Sequence, residues 1–138
     1  MWRLAFRLTR RVRVLPLAGE MVPAMNNEAR FLKAWARGIK LTNRPHVFGD
    51  GTDPDHARTK WDLCPVYERV EDALDTMSST ERILLAAMYS FYNDATGARL
   101  LQRAYGSDDP IGLATIAAAL DDERLAVISE LLMTYRGW

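Results

Sequence analysis

The stretch from Ser78 to Asn93, SSTERILLAAMYSFYN, constrains the fold more than any other, because it is apolar over most of a helical turn. At about 100° per residue, with Ile83 as zero, Ala87, Phe91, Leu84, Met88, Tyr92 and Leu85 fall in order between roughly 40° and 200°. A narrow strip is left for Arg82, Ala86, Tyr89 and Ser90. A helix wetted along one side carries a narrower apolar stripe, so this one is expected to be covered by neighbours on two or three sides. Its start is equally legible. Ser78-Ser79-Thr80-Glu81 fits a capping box, in which the Ser78 hydroxyl accepts from the Glu81 amide and the Glu81 carboxylate accepts from the Ser78 amide.

A chain of 138 residues with 49% hydrophobic content has enough material for one domain around one core. Its longest apolar run, Ile83 to Tyr89, is seven residues, far short of the roughly 20 needed to cross a bilayer, so no membrane span is expected. Cys64 is the single cysteine, which rules out an internal disulfide or a multi-cysteine zinc site and suits a reducing, cytoplasmic location. The net charge of zero conceals a split: Met1 to Arg44 carries ten Lys and Arg against Glu20 and Glu28, a net +8, and the remainder carries eight against sixteen, a net −8. Such a split concerns surfaces. If the halves pack together, the basic part lies against its acidic counterpart; if not, each presents a field to something else.

At the N-terminus, Trp2, Leu4, Phe6 and Leu8 alternate with Arg3, Ala5, Arg7 and Thr9, and Val12-Arg13-Val14 resumes the pattern. Period two with aromatic and β-branched residues reads as a strand or short ribbon, although an Arg-rich, acid-free start is also the composition of a transit peptide. Pro16, Gly19 and Pro23 mark a break, with Met21 and Met25 as alternative starts. The expected organisation is therefore a basic arm or strand over residues 1–24, followed by a helical domain over 25–138.

From Asn27 to Leu41 two opposed stripes appear on one helix. Leu32, Trp35, Ala36 and Ile39 follow the i, i+3, i+4, i+7 rule, while Arg30, Lys33, Arg37, Lys40 and Arg44 step by three and four along the other side. This basic face is the sharpest binding feature in the chain; it is either an ordinary solvated face or one that meets phosphates, acidic protein or anionic lipid. The following loop, residues 43–60, has Gly and Pro spaced so that no regular element runs through it, and a loop so long is functional or mobile. His46, Asp50, Asp53, Asp55 and His56 make it the place with ligand chemistry, but the calcium-loop spacing is not met and Trp61 stands where the closing Glu belongs. Asx-turns and caps account for those aspartates, and no metal or cofactor is expected.

Pro65 is expected in the first turn of the next helix. There Val66, Val70, Ala73, Leu74 and Met77 form an inward stripe and Glu68, Glu71, Asp72 and Asp75 line the outside, the expected internal partner of the basic helix. After Ser78–Asn93, Asn93-Asp94 caps a shorter helix closed by Gly106. Ser107 to Pro110 then reads as the start of IGLATIAAAL, and Asp121-Asp122-Glu123 opens a last helix with Leu125, Ile128, Leu131, Leu132 and Tyr135 inward. Trp138 is placed to pack back onto the bundle. The fold class is mainly α: a single compact bundle of about five or six helices with an N-terminal β-strand or ribbon.

The run LATIAAALDDERLAVISELL resembles the opening helices of the metal-sensing winged-helix repressors through Leu120, Asp121, Arg124, Leu125, Ile128 and Leu131. That family continues into a recognition helix and a β-wing, neither of which follows here, so no DNA-reading residue is transferred. In character, a short, helical chain without catalytic motifs and with an acidic C-terminal part resembles the small accessory proteins of mobile genetic elements, among them the anti-CRISPR inhibitors. That resemblance implies an inhibitor acting by occupying a large complex.

No phosphate-binding, dinucleotide, zincin or nucleophile-elbow motif is present. Tyr89, Phe91 and Tyr92 are spaced as core aromatics rather than as a base-stacking platform. The expectation is a non-enzymatic protein that inhibits or remodels a protein partner, such as a nucleic-acid-handling complex, through Arg30, Lys33, Arg37, Lys40, Arg44, Arg7 and Arg11. The alternative is a regulator that places those side chains on nucleic acid directly.

Overall fold

The computed structural model describes residues 26–138. The period-two segment, with Arg7 and Arg11, lies outside them. Among the described residues the chain is mainly helical, with six α-helices and no strand. They are α1 (Asn27–Thr42), α2 (Tyr67–Leu74), α3 (Ser79–Tyr92), α4 (Asp94–Tyr105), α5 (Leu113–Ala119) and α6 (Asp122–Thr134).

α3 begins at the capping box read from the sequence: the Ser78 hydroxyl accepts from the Glu81 amide at 3.3 Å and the Glu81 carboxylate from the Ser78 amide at 3.2 Å. Every residue from Ile83 to Tyr89 is buried. Ala86 and Tyr89, expected on the outward strip, are covered as well, because α1, α4, α5 and α6 all contact this helix. Full burial of a side chain such as Leu84, Leu85 or Met88 contributes about 1.5–3 kcal/mol, and α3 supplies seven residues to one contiguous core.

Asn93 alone separates α3 from α4; it ends one helix and caps the other, its side chain accepting from the Thr96 amide at 3.0 Å. The close approach of the two helices depends on Gly97, where a Cβ would come within 2.3 Å of the Ser90 Cα. Gly106, left-handed at φ 65°, closes α4 as expected. The next helix starts later than the sequence predicted. Ser107 and Asp109 form a turn in which the Ser107 hydroxyl accepts from the Asp109 amide, and α5 begins only at Leu113 after Gly112.

α1 starts where Asn26 accepts from the Ala29 amide and ends at Asn43, left-handed at φ 57°. It buries Phe31, Ala34, Trp35, Ala36 and Ile39; Leu32, expected inward, is only partly covered, and Phe31 takes the inner position. In α6 the inward set is Val127, Ile128 and Leu131, and Leu132, expected inward, is half exposed. Trp138 packs back as expected, with ring centroids 4.8 Å from Trp35, 5.3 Å from Tyr92 and 5.8 Å from Phe31.

The loop after α1 is more structured than its Gly and Pro content implies. Three short 3-10 turns, Pro45–Val47, Pro54–His56 and Lys60–Leu63, punctuate it. One antiparallel bridge joins Phe48 to Pro65, so Pro65 precedes α2 in extended backbone instead of entering its first turn. Trp35 fixes the far end: its indole N–H donates to the Leu63 carbonyl at 2.9 Å in a buried setting.

A basic groove along the first helix

Because α1 packs its inner side on α3, the residues on its other side form the wall of an open groove of about 1220 Å³, bounded by residues 54–59 and α6. Four of the basic residues singled out from sequence line it: Arg30, Lys33, Arg37 and Lys40. Arg44 does not. Its guanidinium turns to the Asn43 and Thr76 carbonyls, at 3.0 and 3.2 Å, and ties α1 to the end of α2.

The internal partners of the basic row differ from those expected. Arg30 pairs with Glu130 at 2.7 Å, Arg37 with Glu123 at 3.7 Å and Lys40 with Asp55 at 2.5 Å. The acidic face of α2 instead meets Arg103, which reaches Glu71 at 3.2 Å and Asp75 at 3.0 Å. Helix contact decides this: α6 lies along α1, whereas α2 packs on the Pro45–Val47 turn. Glu123 and Glu130 flank Ala126 and Val127 at i, i+3, i+4, i+7, a face visible in the sequence although nothing in it says which helix it meets.

Arg37 and Glu123 are both more than half exposed, and such surface pairs contribute little, about 0–1 kcal/mol. Among the described residues, Lys33 has no carboxylate within ion-pair distance, nor does Arg58, a groove residue outside the basic row of α1. Between these cations the floor is apolar: Leu32, Ala36, Ala57 and Ala126 line it.

The five loop residues with ligand chemistry do not converge. Asp53 accepts from the Asp55 amide, which holds its carboxyl below the ordinary range, and stands 3.3 Å from His56. Asp55 is taken by Lys40. Asp50 reaches only the edge of Arg69, at 4.0 Å, while the same arginine holds the His46 and Gly49 carbonyls at 3.2 and 2.9 Å. His46 thus contributes backbone, and no three potential ligands cluster among the described residues.

Lys60 is a cation that no sequence pattern marks. It is buried, 5.6 Å from the centroids of both Phe31 and Trp138, with its ammonium donating to Glu28 and to the Gly137 carbonyl. It fastens the last residues to the start of α1, a cation–π box that no local pattern announces. Burial raises the pKa of the neighbouring Cys64 thiol, against the opposing pull of the Trp138 indole. That shift favours the neutral thiol over the nucleophilic thiolate.

A second concavity, of about 360 Å³, lies between α3, α5 and α6; Leu113 and Leu132 are exposed at its edge and Asp94 is its one charged residue. Comparison of the chain with protein-family models, with curated proteins and with solved structures gave no match in any of the three.

Proposed function

We propose that the protein is a non-enzymatic binding protein that inhibits or remodels a partner complex, in the manner of the small accessory proteins of mobile elements, and that the groove along α1 is its working surface. The observation carrying this reading is the groove itself: a long, open concavity lined by five cations against three carboxylates with apolar side chains between them, held on a helix whose other side is locked by Trp35 and Ile39. Rigid elements with a polar rim around an apolar centre suit protein recognition.

Co-elution with candidate nuclease complexes on a sizing column, coupled to loss of their nucleic-acid cleavage, tests it. The double variant Lys33→Glu, Arg37→Glu is expected to abolish both while leaving the helical circular dichroism unchanged. Failure of the wild type to associate with any such complex overturns the reading.

A second reading, direct binding of nucleic acid, draws support from Lys33, Arg37, Lys40 and Arg58 sharing one groove. It predicts affinity that falls steeply with salt as counterions are released. A gel shift insensitive to salt removes it.

A further inference from the structure

We infer that the groove along α1 takes one kind of occupant: an acidic amphipathic helix of a protein partner, its apolar stripe on the groove floor and its carboxylates against Lys33 and Arg58. This rests on the binding function proposed above and names the chemistry of the partner.

Size is the first reason. The groove, at about 1220 Å³, exceeds the roughly 300–1,000 Å³ of small-molecule pockets. Its wall runs along α1 from Asn26 to Lys40, about 20 Å at 1.5 Å per residue, which matches about four turns of a helix laid alongside. Helix-in-groove recognition uses apolar anchors at i, i+3, i+4 and i+7 on a floor of this kind.

Charge is the second reason. Lys33 and Arg58 have no carboxylate within ion-pair distance among the described residues, and Arg37 is only loosely held by Glu123 at 3.7 Å. An arriving carboxylate therefore finds cations without first breaking a tight pair.

The same inventory disfavours a phosphate backbone. Glu28, Asp55 and Glu130 line the groove too, each already paired with a cation, so a strand carrying a charge at every nucleotide meets fewer open cations than it has phosphates. A helix avoids this mismatch by setting its carboxylates opposite the cations and its alanines or leucines elsewhere. Leu32, Ala57 and Ala126 then receive apolar side chains, which a phosphodiester chain does not offer them.

The test uses the full chain and three fluorescein-labelled probes: a synthetic four-turn helix with Leu at i, i+3, i+4, i+7 and Glu on its flanks, the same helix with Lys for Glu, and an oligodeoxythymidine. Anisotropy is expected to show binding of the acidic helix alone. Lys33→Glu with Arg58→Glu should weaken it at least about tenfold, equivalent to about 1.4 kcal/mol. Ala126→Glu, at an exposed floor position, should do the same by a different route. Far-ultraviolet circular dichroism checks that each variant is folded. Equal affinity for the oligonucleotide, for the Lys helix, or for folded variants and wild type overturns the inference. If the acidic helix fails to bind while a nuclease complex still co-elutes, the occupant is wrong and the binding function stands. If the helix binds and no complex associates, the groove chemistry stands and the proposed function falls.

Discussion

α3 buries every residue from Ile83 to Tyr89, whereas α1 buries one side and leaves Lys33, Arg37 and Lys40 in water. The two helices meet where Gly38 of α1 lets Met88 of α3 approach; a Cβ there would lie 2.7 Å from the Met88 sulfur. One helix is thus spent entirely on holding the fold. The other divides its faces, and its free side can vary in charge without disturbing the core. Function is expected where burial is incomplete on a rigid element, and stability where burial is complete.

Substitutions break or sharpen this contrast. The largest effect is expected at Ala86, fully buried on the side of α3 that its sequence left polar-tolerant. Ala86→Lys would place an unpaired charge in the core at a cost of about 4 kcal/mol or more, read as loss of the cooperative urea transition. An ordinary unfolding midpoint would mean that α3 has a wet side after all. Trp35→Ala, which removes the inner anchor of α1 and the indole bond to Leu63, is expected to cost about 3–5 kcal/mol by chemical denaturation.

Next come the close helix contacts. Gly97→Ala sets a methyl against the Ser90 backbone and should cost about 1–3 kcal/mol. Gly38→Ala meets side chains only, the flexible end of Met88 and, at 3.0 Å, Val127 Cγ1, so its loss should be the smaller in paired melts. Ser78→Ala, removing half of the capping box, is expected to cost about 1 kcal/mol.

Acid should act through the caps. Asp121 is held below its ordinary value of 3.8 chiefly by the Arg124 amide, and Glu81 below 4.5 chiefly by the Asn43 side chain. A carboxyl whose folded pKa is depressed stabilises fully above its ordinary value and loses that contribution as pH falls through the folded one. The melting temperature should therefore hold steady down to about pH 5 and decline below about pH 4, and Asp121→Asn should flatten part of that decline. Smallest of all, Lys33→Glu should change the unfolding free energy by less than about 0.5 kcal/mol, because no described residue pairs with it.

Local patterns in the chain were enough for α3, its capping box, the Gly106 stop and the two-faced character of α1, since each depends on residues within a few positions of one another. The late start of α5 was not legible: Ser107 and Asp109 satisfied each other in a turn before a helix could form, a competition between two local options that the Asp-Pro pair leaves open. The groove was half legible. Arg30, Lys33, Arg37 and Lys40 announced themselves by spacing, while Arg58, Ala57 and Ala126 entered through contacts across many residues of chain.

By itself the sequence determined that a thoroughly apolar rod must be enclosed by other helices and that one amphipathic helix carries a basic row, because periodicity and capping act over single turns. Only the tertiary structure decided that α6, not α2, faces that row, that Arg103 takes the acids of α2, and that Lys60 closes an aromatic box around Trp138. Pairing between distant elements depends on which faces come together, and charge alone does not choose among partners of the same sign.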